Sequence, residues 1–144
     1  MIIIGEKING SIPVVAKAIA EKDAEFIKQR AIAQDKAGAT YIDCCASVEE
    51  DVEVETLKWM IDCIQEVSDL PIAVDRPSPN VLAEVYKSGI CKKPGLINSV
   101  SGEGDKIDIL FPLIADSEWE VVALLSDDKG IPQSAADRLR VFDD

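Results

Sequence analysis

Five polar residues stand where short apolar runs of this sequence stop. Asp43 closes "ATYID", Asp75 closes "PIAVD", Asn98 sits in "GLINS", and Glu6 and Asn9 follow "MIII" in "GEKING". Asp43 and Asp75 are 32 residues apart, and Asp75 and Asn98 are 23 apart. A carboxylate accepts hydrogen bonds only, whereas a carboxamide donates and accepts at once. Together they suit a neutral heterocycle with an amide-like edge, such as an amino-pyrimidine. Leaving such groups buried without a matched ring is costly. Taken singly, each also reads as a helix cap or turn residue. Ser78 before Pro79 can open the next helix, which leaves Asp75 spare, and Gly104 or Asp105 does the same for Asn98. Asp43 is less distinct, because "EEDVEVE" offers other caps, and Glu6 can pair with Lys7 or Lys17 in solvent. Arg76, beside Asp75, is asked for by neither strand nor helix.

Other chemistry is excluded by what is missing. With no histidine in 144 residues, the usual triads and imidazole metal sites are absent. Cys44, Cys45, Cys63 and Cys91 match no zinc framework, so no metal is expected and the thiols read as reduced core residues. "GEKING" is not a dinucleotide fingerprint, and no phosphate-binding GxxxxGK[ST] loop follows. A net charge of −12 argues against a nucleic-acid partner. No apolar run approaches the ~20 residues of a membrane span, and the start lacks a basic leader. The chain therefore reads as cytoplasmic, with no membrane partner.

Apolar runs at 1–4, 39–43, 71–75, 95–99 and 120–125 have the length of buried strands. Helical texture lies between them. Residues 23–37 have Asp23 as N-cap and Gly38 as stop; 53–67 carry Val54, Leu57, Ile61 and Ile64 on one stripe. A third helix starts at Ser78-Pro79 and ends near Gly89. A fourth spans 105–115 with Ile107, Phe111 and Ile114 inward and a kink or early end at Pro112. A fifth spans 134–142, capped by Ser134, with Ala135, Leu139 and Phe142 on one side. Five βα units predict an α/β fold with parallel strands. Two architectures fit: a complete five-stranded doubly wound domain, or about five units of a (β/α)8 TIM barrel, which needs ~250 residues when complete. The close, "RLRVFDD", has no glycine stop and puts Asp143 and Asp144 at the negative end of a helix dipole. This favours a truncated barrel, with residues 1–144 as its N-terminal part. In both architectures the ligand site lies at the C-terminal ends of the strands.

Four stretches, "IIIGEKINGS", "YIDCCAS", "VDRPSPN" and "LINSVSGEGDK", keep the order and spacing of strand-end motifs in the pterin-binding TIM-barrel family. The chain most resembles its methyltetrahydrofolate:corrinoid protein methyltransferases; dihydropteroate synthases match less well. The resemblance implies a barrel, usually homodimeric, that binds methyltetrahydrofolate in its mouth. The N5-methyl group would pass to cob(I)alamin, the cobalamin carried by a partner corrinoid protein. By position, Asp75 and Asn98 match the residues that hydrogen-bond the pterin; Glu6, Asn9 and Asp43 match rim positions near it. The family's N5-assisting Asn and a further pterin-binding Asp come from later strands, so the 144-residue chain alone is expected to lack methyl transfer, with its catalytic residues unassigned. Arg76 departs from the small residue usual there. It would either pair with Asp75 or reach toward the glutamate tail of the folate. Two other readings are a methionine-synthase-like folate module and a non-catalytic, receiver-like regulatory domain using Glu6 and Lys129. Open sheet edges predict a homo-oligomer.

Overall fold

Parallel strands cannot be joined by a tight hairpin; each needs a crossover, most often a helix. The computed structural model, which describes residues 1–143, follows that rule through five strands and six helices. β1 (Ile4–Asn9) leads through α1 (Pro13–Ala20) and α2 (Ala24–Lys36) to β2 (Tyr41–Cys45). α3 (Glu50–Gln65), β3 (Ile72–Asp75), α4 (Pro79–Lys87), β4 (Leu96–Gly102), α5 (Lys106–Ile114), β5 (Glu120–Asp127) and α6 (Ala135–Asp143) follow. Every strand pair is parallel and the order is β1-β2-β3-β4-β5. The α/β sheet common to both expected architectures is therefore present. The order contains no reversal, the point at which a doubly wound sheet changes direction.

The sheet is also concave. Tyr41 Oη on β2 donates to Glu120 Oε2 on β5 at 3.0 Å, although β3 and β4 lie between. In a flat sheet strands three places apart are roughly 14 Å apart, and side chains stand nearly perpendicular to the surface. They meet here because the sheet curls toward that face. The helix-covered face holds the core. Ile8, Ile42, Cys44, Ile72, Val74 and Ile97 pack there against helical residues. Leu57, Ile61 and Ile64 of α3 are 0% exposed, as their spacing demands, and Met60 joins them; Val54 is only partly buried. Each such side chain contributes roughly 1.5–3 kcal/mol through burial.

Several expectations are corrected. The first apolar run is not the first strand: Met1, Ile2 and Ile3 are exposed, and pairing starts at Ile4 opposite Tyr41. The strand instead takes in Glu6 and Asn9. α1 is a sixth helix beside the five that the sequence predicts; Pro13 at its first turn marks it, and it buries Val15, Ala18 and Ile19. Pro112 does not end α5 early, since the helix runs on to Ile114. Leu110 turns inward there at 0% exposure, while Ile107 and Phe111 are each 40% exposed. On α6, Ala135, Leu139 and Phe142 are exposed rather than packed; Asp144 lies outside the described residues. Asp23 does cap α2, accepting from Phe26 N at 3.0 Å, and Gly38 follows that helix at φ +88°. Ser134 Oγ accepts from Asp137 N at 3.1 Å. Among the described residues no helix is long and apolar enough to cross a membrane.

Candidate functional site

Strand alternation decides what faces the concave side. Ile42 and Cys44, Ile72 and Val74, and Ile97 point to the helices, so Asp43, Cys45, Ala73, Asp75, Leu96 and Asn98 point the other way. Register then lines them up. Asn9 pairs with Cys45, Cys44 with Val74, and Asp75 with Asn98. Asn9, Cys45, Asp75 and Asn98 thus form one row across four strands at their C-terminal ends. One layer deeper, Asp43 lies opposite Ala73, which lies opposite Leu96.

The two layers are stitched together. Asn98 Nδ2 donates to Asp43 Oδ1 at 3.0 Å. Asp43 is 1% exposed, and burial pushes its carboxyl up to about 7; the charges of Asp75 and Glu6 add to this and the Asn98 hydrogen bond opposes it. Asp75 is also raised, first by burial and then by Glu6, with the Cys45 thiol and Arg76 pulling the other way. Cys45, buried beside both acids, is pushed up to about 11 despite a hydrogen bond to Ser47. This thiol is the site member that the sequence reading left out; its signal was its place two residues after Asp43 on the same strand. Asn9 is partly committed, because its Oδ1 accepts from Ser11 N at 2.8 Å in a local turn. That turn passes so close to β2 that a Cβ on Gly10 would lie 1.9 Å from Ala46 O. Glu6 is exposed in β1 and reaches the cluster through its charge.

Arg76 follows the same alternation to the opposite side. Its Nε lies 2.6 Å from Glu53 Oε2, and the Glu53 side chain is 0% exposed. The contact is an ion pair by distance, without the alignment of a good hydrogen bond. Glu53, and not Asp75, is thus the carboxylate with which Arg76 pairs. Ser78 holds the N-cap position of α4 but does not cap it; its Oγ donates to Glu50 Oε1 at 2.9 Å.

The ends of β4 and β5 are satisfied internally. Lys106 Nζ reaches Glu103 Oε2 at 2.8 Å and Ser101 Oγ at 3.1 Å, holding the Glu103 carboxyl below its usual range. Asp127 pairs with Arg140 at 2.8 Å. The roomier hollows lie on the flanks. One of about 490 Å³ runs between Lys7 and a face of α2 from Phe26 to Gln34, with Ala37 just beyond the helix, and one of about 380 Å³ lies between Gly102, Asp127 and Arg140. Neither touches the polar row, which faces the open concavity. Among the described residues no group of three or more His, Cys, Asp or Glu side chains is arranged to hold a metal ion. What the row can do is accept and donate hydrogen bonds along the edge of a planar ring.

In α/β folds with parallel strands, ligands bind at the C-terminal ends of the strands, which is where this polar row lies. No family model matches the chain. It is similar to the methylcorrinoid:tetrahydrofolate methyltransferase of Eubacterium limosum, 54% identical over 143 residues, which is 98% of this chain and 52% of that protein. The chain spans about half the length of this curated relative, and a methyltransferase thus stands among its homologues.

Proposed function

We propose that the chain is the N-terminal, pterin-binding part of a (β/α)8 barrel methyltransferase. The enzyme would exchange a methyl group between N5 of tetrahydrofolate and a corrinoid carried by a partner protein. The observation that carries this reading is the row of Asn9, Cys45, Asp75 and Asn98, backed by buried Asp43. A pterin presents an amino group, a ring N–H and a carbonyl along one edge. Asp75 can accept from the first two. Asn98 gives one N–H to Asp43, which fixes the amide plane and leaves its oxygen and second N–H for the ring. A matched ring would satisfy groups that are otherwise buried beside one another's charge.

The relative's name puts the methyl group on the corrinoid and tetrahydrofolate as its acceptor. The methyl-donor role of methyltetrahydrofolate is the same reaction run backward, and one site serves both directions. The corrinoid supplies the carbon–cobalt chemistry; residues of this chain bind and orient the pterin. The sheet order speaks against the receiver-like alternative, whose sheets run 2-1-3-4-5. We further infer that the enzyme is a cytoplasmic homo-oligomer. A methyl-transfer assay with methylcorrinoid and tetrahydrofolate tests the proposed activity. Turnover is expected from a protein of the relative's full length and none from the 144-residue chain; turnover by the short chain would contradict the account.

A further inference from the structure

Glu53 is a costly residue to keep. Its side chain is fully buried in α3, with neither carboxylate oxygen in a well-aligned hydrogen bond. Burying a carboxylate is tolerated only with close compensation, and losing its partner is strongly destabilising. The compensation is Arg76, the residue directly after Asp75, with the backbone of Ser47 and Val48 also favouring the charged form. These contacts join the two loops that follow β2 and β3, the strands that deliver Asp43, Cys45 and Asp75. Ser47 is held at φ +51°, a left-handed conformation unusual for a residue other than glycine, and its Oγ lies 3.2 Å from Cys45 Sγ. Arg76 N donates to Asn98 O at 2.9 Å, so residue 76 is fastened to β4 through its backbone and to α3 through its side chain.

We propose that Glu53 and Arg76 are a positioning pair that fixes Asp75 as the carboxylate receiving the pterin edge. The inference rests on the pterin-binding reading above. Alternation sends Asp75 and Arg76 to opposite faces, so clamping Arg76 from behind sets the direction in which Asp75 points. The clamp also carries charge. Glu6 on β1, Asp43 and the Cys45 thiol on β2, and Arg76 itself are the ionisable groups around Asp75; Asn98 on β4 is neutral. Arg76 is the cation of that set and favours the ionised carboxylate that a pterin needs. Glu53 in turn occupies Arg76, which keeps the guanidinium off Asp75 and makes the pair a poor site for a further anion.

The test is tetrahydrofolate binding against pH in the full-length protein. Glu53→Gln/Arg76→Gln removes both charges together, and Glu53→Met/Arg76→Met does so with apolar volume should the amides fail to fold. In whichever folds, affinity at pH 6 is expected to fall about tenfold, and the acid-side midpoint of binding to rise by about half a pH unit or more. Arg76→Lys keeps the charge and is expected to retain the wild-type midpoint with weaker binding. A folded double variant with wild-type affinity, or with weaker binding at an unchanged midpoint, overturns the proposal. Asp75→Asn is the control for the underlying reading. If it binds tetrahydrofolate as tightly as wild type, the pterin site itself is wrong; if it fails to bind while the double variant behaves as wild type, only the positioning pair is wrong.

Discussion

Around β2, β3 and α3, the side chains of Ile42, Ile61, Ile64 and Val74 are 2% exposed or less. On the β5–α6 flank, Leu124, Leu139 and Phe142 are half exposed or more, and α6 buries no residue. At the other flank, Ile2 and Ile3, just before the edge strand β1, are exposed. The candidate site lies over the packed middle, whose strands are paired on both sides and whose rim loops are tied by Glu53–Arg76 and Glu50–Ser78. Rigid support for a binding row is thus concentrated where the row is. The flanks thus expose large apolar side chains that the middle buries.

The comparison breaks most easily in the core. Leu57→Ala removes a fully buried side chain of α3 and is expected to cost about 2–5 kcal/mol in urea unfolding. Leu139→Ala on α6 is expected to change stability by less than about 0.5 kcal/mol. Equal losses would mean that the flank is as well packed as the middle.

Next in size is a pH effect confined to the middle. Asp43 titrates at about 7 in the folded chain, against roughly 3.9 when unfolded. The folded state therefore holds an extra proton between those values. Its contribution to stability is full below about pH 4 and is lost as pH rises through about 7. Asp75 and Glu53, also raised, act with the same sign. Asp43→Asn is expected to gain about 1–3 kcal/mol relative to wild type at pH 8, and to show no such gain at pH 4. Thermal melts at the two pH values check this, and a parallel pH dependence in both proteins would assign the effect elsewhere.

The smallest effect sharpens the flank. Leu139→Ser with Phe142→Ser removes two exposed apolar side chains from α6. Light scattering is expected to show less self-association with little change in melting temperature. Unchanged association would move the contact to β1 or to another surface.

Much of this arrangement is legible in the residues themselves. The βα rhythm, the Asp23 cap and the α3 stripe follow from local rules, and so does the delivery of Asp43, Asp75 and Asn98 to strand ends. What was not legible needs register or tertiary contact. Met1–Ile3 is as apolar as a strand, but only pairing with β2 shows that β1 begins at Ile4. The inward position of Leu110, in place of Ile107 and Phe111, depends on which way α5 sits on β4. Cys45 joins the site because Asn9 and Asp75 flank it across the sheet, a relation that no single segment carries. Arg76 was set against Asp75 by adjacency, whereas alternation turns it toward Glu53, 23 residues earlier.

The central claim is that Asp75 and Asn98 hold a pterin ring. Isothermal titration of tetrahydrofolate into the full-length protein, its Asp75→Ala variant and its Asn98→Ala variant tests it directly. Asp75→Ala is expected to unfold near the wild-type midpoint and Asn98→Ala somewhat below it, because the latter leaves buried Asp43 without its donor; each, while folded, is expected to bind at least about tenfold more weakly. Wild-type affinity in either folded variant would contradict the account.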